Sequence, residues 1–122
     1  MTLEGGLNAW LTEKTGVDCY WLNRPANKDI AVVYRCISPG IVEGNLRATG
    51  ISEDYFSISI YHTDPEVCKN LADLIKKELH HFSGDLGGYP VQFIEFSGGF
   101  DQPLNNEGAI SYQFNRDFNI YY

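Results

Sequence analysis

With 122 residues, 43% of them hydrophobic and 14% aromatic, the chain has the make-up of one globular domain (residues 1–122) able to bury a core without metal or disulfide support. Sixteen acidic against nine basic residues give a formal net charge of −7, which argues against adhesive binding to nucleic acid, since that needs Lys and Arg to replace phosphate counterions. Cys19, Cys36 and Cys68 are odd in number and widely spaced, as free thiols in a reducing compartment are. The start, MTLEGGLNAW, has no leader character and no later stretch approaches a membrane-spanning run, so a soluble chain with no membrane partner is expected.

The first predicted element is a helix over about Thr2 to Lys14, with Leu3, Leu7, Trp10 and Leu11 in one apolar stripe. Gly5 and Gly6 weaken it by roughly 1 kcal/mol each, so it must rely on docking. A loop through Asn23 to Asn27 leads to a strand over Asp29 to Ser38. There Ile30, Val32, Tyr34 and Cys36 face one way, and Ala31, Val33 and Ile37 the other, which suits a central strand or one covered by another subunit. Pro39 to Asp54 is punctuated by glycine and long for a structureless connection; it holds either a short β-extension around Ile41 and Val42 or a functional arm. The next strand, Tyr55 to Tyr61, sets Phe56, Ile58 and Ile60 opposite Ser57, Ser59 and Tyr61.

Thr63-Asp64-Pro65-Glu66 reads as a capping box with proline in the first turn of a second helix. Its apolar stripe is Val67, Leu71, Leu74, Ile75, Leu79 and Phe82, which predicts that Leu74 meets Phe118 in the core. Ser83-Gly84 stops the helix, Gly87 to Pro90 turn the chain, and a strand follows over Val91 to Ser97. Gly98 to Gly108 reads as a second long loop. From Ala109 to Tyr122 alternation is strict: Ile110, Tyr112, Phe114, Arg116, Phe118, Ile120 and Tyr122 share one face, and Ser111, Gln113, Asn115, Asp117, Asn119 and Tyr121 the other. The expected fold is α+β, in the order α-β-β-α-β-β: a single four-stranded, mostly antiparallel sheet with two helices packed on one face.

No catalytic constellation emerges. His80 and His81 project about 100° apart on a helix, poor geometry for one ion, and suit the helix C-terminus. His62, Asp64 and Glu66 lack a nucleophile or oxyanion partner, and capping explains the two carboxylates. The glycines of Ser83–Gly88 follow a helix and precede a strand, the reverse of a phosphate loop, and Ser97-Gly98-Gly99-Phe100 has no helix after it. No catalytic residue, metal ligand or cofactor site is therefore predicted, and the chain is expected not to be an enzyme. Ile41, Val42, Leu46, Ile51, Phe100 and Leu104 are apolar residues in predicted loops; they tuck under their own loop or face a partner.

The short first helix, the strand DIAVVYR, the strand-to-helix passage FSISIYHTDPEVCKNLADLIKKEL, and the Asp- and Asn-containing loop before YQFNRDFNIYY resemble the tail-completion or tail-terminator proteins of long-tailed bacteriophages. The resemblance runs over nearly the whole chain. It implies a virion structural protein, made in the host cytoplasm, that joins tail to head. Copies would form a homo-oligomeric ring, typically hexameric, at the head-proximal end of the tail, meeting the tail tube protein on one side and a head-completion or neck protein on the other. DNA would pass through without specific binding. Ile41, Val42, Leu46, Arg47, Phe100, Leu104, Tyr121 and Tyr122 are then candidates for the subunit or partner interface, and Glu43, Asp101 and Glu107, with the Ser, Gln and Asn face of the last strand, for an acidic or neutral polar lumen lining. A neck adaptor ring, or a small ligand- or peptide-binding module using the two long connections as a cleft, are the alternatives.

Overall fold

A computed structural model describes residues 2–44, 47–106 and 109–122, with side chains at 42–44, 47–49, 106 and 109 set aside. The chain runs α1 (Leu3–Thr15), β1 (Cys19–Trp21), β2 (Ala31–Gly44), β3 (Arg47–His62), α2 (Pro65–Leu79), β4 (Gly84–Leu86), β5 (Tyr89–Val91), β6 (Phe93–Asn106) and β7 (Ala109–Tyr121). This corrects the expected order and the four-stranded sheet. The main sheet has five strands in the order β1-β2-β3-β7-β6, with β4 and β5 forming a separate small hairpin. The sheet is mixed, because β1 pairs parallel to β2 while the other pairs are antiparallel.

α1 begins at Thr2, whose hydroxyl accepts from the Gly5 N–H, and ends at Gly16 in the left-handed region. Gly6 is there for contact: a Cβ would lie 2.5 Å from the Leu86 carbonyl oxygen and 2.7 Å from the Tyr89 Cβ. The β4–β5 hairpin thus presses directly on the helix backbone. α2 is capped by Asp64 rather than Thr63: its Oδ1 accepts from the Glu66 N–H at 2.9 Å. Pro65 occupies the first helical position, which leaves the residue before it as the cap.

Both helices lie on the face formed by Val32, Tyr34, Phe56, Ile58, Ile60, Ile94, Phe118 and Ile120. On α2 the buried residues are Cys68, Ala72, Ile75 and Leu79, so the helix is rolled from the predicted stripe. Val67 is exposed, and Leu74 lies outside the core cluster and does not take the predicted place against Phe118. Small side chains at Cys68 and Ala72 let the helix approach the sheet closely, and the Cys68 thiol donates to the Ile60 carbonyl at 3.3 Å. On the other face, Ala31 and Val33 are buried as well. Leu22 turns the chain out of β1 with a left-handed φ of 78°, and Arg24 stacks over the Tyr61 ring at 4.2 Å, which brings residues 22–30 back across this side of β2.

The two long connections are not loops. β2 and β3 stay paired from Ala31↔Tyr61 to Gly44↔Arg47, and β6 and β7 from Phe93↔Tyr121 to Asn106↔Ala109. β3 and β7 pair only between Glu53↔Tyr121 and His62↔Tyr112, with Ser52 and Tyr122 closing the ladder. Each hairpin therefore overhangs the common sheet, and because β3 and β7 are antiparallel the overhangs point opposite ways. At about 3.3 Å per residue each arm reaches about 10 Å, three paired steps past Ile41↔Ser52 in β2–β3 and three past Pro103↔Tyr112 in β6–β7.

One-residue irregularities precede both overhangs, at Ile37 in β2 and Ser97 in β6. Each reverses which backbone groups turn outward. Val32 donates to Asp18 of the neighbouring chain segment, and Ile94 both donates to Phe82 and accepts from His81, which sets the outward parity before each shift. After it, Pro39 on β2 and Pro103 on β6 fall at outward positions, where their missing N–H breaks no ladder bond.

Candidate functional site

The open face of the sheet, opposite the helices, carries a continuous polar network. Register places Arg35, Ser57, Asp117 and Gly98 in one row across the four long strands, and Val33, Ser59, Asn115 and Phe100 in the next. Asn115 is 3% exposed and sits at the centre. Its Oδ1 accepts from the Ser57 hydroxyl at 2.6 Å and the Ser59 hydroxyl at 2.7 Å, and its Nδ2 donates to Asp117 Oδ1 at 2.8 Å. Gln102 donates to Gln113 at 2.8 Å, and Gln113 to Ser59 at 3.1 Å. From the other end, Ser97 donates to the Tyr55 hydroxyl and Tyr55 to Asp117 Oδ2.

Small serines make a low floor between higher walls, Leu22, Val33 and Ile37 on one side and Phe100 on the other. The result is a pocket of about 230 Å³. That is below the roughly 300–1,000 Å³ of pockets that take drug-sized ligands. The floor groups are engaged with one another rather than poised for proton transfer, and no nucleophile–base pair lies among them.

A second polar centre ties down the root of the β2–β3 arm. Asp54 is 5% exposed; its Oδ2 accepts from the Tyr122 hydroxyl at 2.7 Å and its Oδ1 from the Gly40 N–H at 3.4 Å. Burial, then the hydrogen bond to Asp54, hold the Tyr122 hydroxyl well above the ordinary tyrosine range. Burial also pushes the Cys68 thiol up to about 11. His80 accepts from the Phe96 N–H at 3.1 Å, and His81 stacks on Phe93, so both histidines join the end of α2 to β6.

The predicted interface residues separate. Ile41 on the first arm and Phe100 on the open face are strongly exposed, whereas Leu104 is half-buried beside Ile110 and Thr63. Tyr121 donates to Glu53, and Tyr122 belongs to the Asp54 centre. Asp101, a predicted lumen acid, is bound to Arg116 at 2.5 Å. Leu46 and Glu107 lie outside the described residues, as do the side chains of Val42, Glu43 and Arg47. The buried Ser57–Asn115–Ser59 centre was missed from sequence; three short polar residues in the alternation of paired strands were its only signal.

No family model and no curated protein matches the chain in sequence. Its fold does match solved structures. A chain from the virion of a native gene transfer agent (GTA) particle superposes with a TM-score of 0.62 over 91% of this chain and 82% of that one, at 13% identity. A second solved chain matches with a TM-score of 0.50 at 11% identity, over 98% of this chain and 90% of that one. At such identities the likeness is one of fold.

Proposed function

We propose that the chain is a non-enzymatic structural subunit of a phage-type virion, of the tail-terminator kind. Copies close into a ring, a hexamer by the family resemblance, at the head-proximal end of the tail tube. The ring ends tube growth and offers a surface to the neck protein. The observation that carries this reading is the fold likeness, over most of both chains, to a component of a GTA virion. Two features of the chain support it. Its arms project from opposite ends of one sheet, as a subunit that must reach different neighbours requires. Its buried polar groups are spent on one another, as a scaffold requires and an active site does not.

A formal charge of −7 per copy is multiplied by ring closure, and an acidic or neutral lumen lets DNA slide where a basic one would hold each phosphate. The test is absolute mass by light scattering at rising concentration, with electron microscopy of the protein mixed with tail tubes. Closed rings, free or capping one tube end, are expected. A strict monomer that never joins tubes would refute the proposal, and rings that join heads but not tubes would make it a neck adaptor instead.

A further inference from the structure

Arg116 is 7% exposed, yet only one of its three guanidinium nitrogens is bonded. Nη1 donates to Asp101 Oδ1 at 2.5 Å and to the Asn115 carbonyl at 2.7 Å. Nη2 and Nε have no partner among the described residues, and no buried side-chain nitrogen or oxygen there is unsatisfied, so these two reach water. Arg116 lines a groove of about 350 Å³ between α2 and the irregular part of β6. Lys76 lines the same groove, its ammonium 4.7 Å from the centre of the Phe96 ring. Gly98 and Gly99 form the wall between and put no side chain there; a Cβ on Gly99 would lie 1.9 Å from the Asn115 carbonyl oxygen of β7, so the strands can come this close only with glycine. Phe100, whose ring stands on the open face, adds only the edge of the groove.

We propose that this groove binds a single carboxylate carried on an acidic segment of another protein. Two cations against one carboxylate, Asp101, leave one net positive charge in a chain whose total is −7. One surplus charge matches a carboxylate monoanion, and the open fork of Arg116 suits its two oxygens. A nucleic-acid backbone would bring repeated charge against the acidic remainder of the surface for the sake of two cations. The Phe96 ring offers apolar contact to whatever side chain flanks the acid. This binding site stands whether or not the chain forms a ring.

The experiment is an amide NMR titration of the full chain with N-acetylated tetraglutamate amide, and in parallel with its tetraglutamine counterpart, inorganic phosphate and a 12-base-pair DNA duplex. Saturable shifts centred on Gly98 and Gly99 with tetraglutamate alone are expected. Lys76→Gln should weaken them about fivefold, while Lys77→Gln, on the same helix but outside the groove, should not. No saturable shift with tetraglutamate, equal loss in both lysine variants, or tighter binding of phosphate or duplex would each overturn the assignment.

Discussion

Replacing Asn115 by Ala tests whether the open face is held by a network or by independent pairs. The substitution removes the acceptor of two hydroxyls, Ser57 at 2.6 Å and Ser59 at 2.7 Å, and a donor to Asp117 at 2.8 Å. Each buried group left without a partner costs about 1–3 kcal/mol. Ser59 still receives Gln113 and Asp117 still receives Tyr55, so among the described residues the Ser57 hydroxyl is the one left with no side-chain partner. The pocket above also admits water to the floor. A total loss of about 2–4 kcal/mol follows, near the upper end of ordinary single substitutions. Chemical denaturation of Asn115→Ala, of Ser57→Ala with Ser59→Ala, and of the triple variant measures it. In a shared network the triple variant loses less than the sum by at least about 1 kcal/mol. Additivity within about 0.5 kcal/mol would refute the reasoning and return the face to a set of unconnected surface residues.

Ile75→Ala, on the buried side of α2, should cost about 2–5 kcal/mol and Leu74→Ala under about 1.5 kcal/mol in the same assay; equal costs would mean that the helix is rolled differently. Gly6→Ala should destabilise by at least about 1 kcal/mol in thermal melts despite the roughly 1 kcal/mol gain in helix propensity, because the added Cβ meets Leu86 and Tyr89; a net gain would show that the hairpin yields. The Cys68 thiol is raised from 9.0 to about 11, so its contribution is complete below about pH 9 and lost as pH rises toward 11. Stability measured across that window should therefore fall less steeply in Cys68→Ala than in the unaltered chain, although the variant starts lower.

How much of this was legible in the sequence depended on whether side-chain period and backbone agreed. β7 was readable because its alternation is unbroken and its inward residues, Phe118 and Ile120, are fully buried. Cys19–Trp21 was missed as a strand, being three residues long and paired parallel to residues thirteen further on. For Pro39 to Asp54 a β-extension around Ile41 and Val42 was one of two expectations, whereas Gly98 to Gly108 was read as a loop; the irregularities at Ile37 and Ser97 invert the alternation, and glycine and proline there mark bulges and an edge rather than turns. The roll of α2 was hidden by size: leucines outrank Cys68 and Ala72 in hydrophobicity, but the small pair is what fits against the sheet. Of the candidate interface, Ile41 and Phe100 are exposed and Tyr122 is bonded to Asp54, while the lumen candidate Asp101 is paired with Arg116, partners that sequence could not join across such separations.

The outward prolines carry a consequence for crowding. A protein with two protruding ribbons is at risk of templated growth, in which one copy's bare backbone recruits the next into an endless cross-β stack. Pro39 and Pro103 withhold an amide proton at the position where such a recruit would seek one, and the reversal of strand parity before each sets them there. Neighbours are left to meet through side chains, whose shape and charge can be selective, rather than through peptide groups, which are the same in every chain. A closed ring of the kind proposed would draw its fixed copy number from that selectivity.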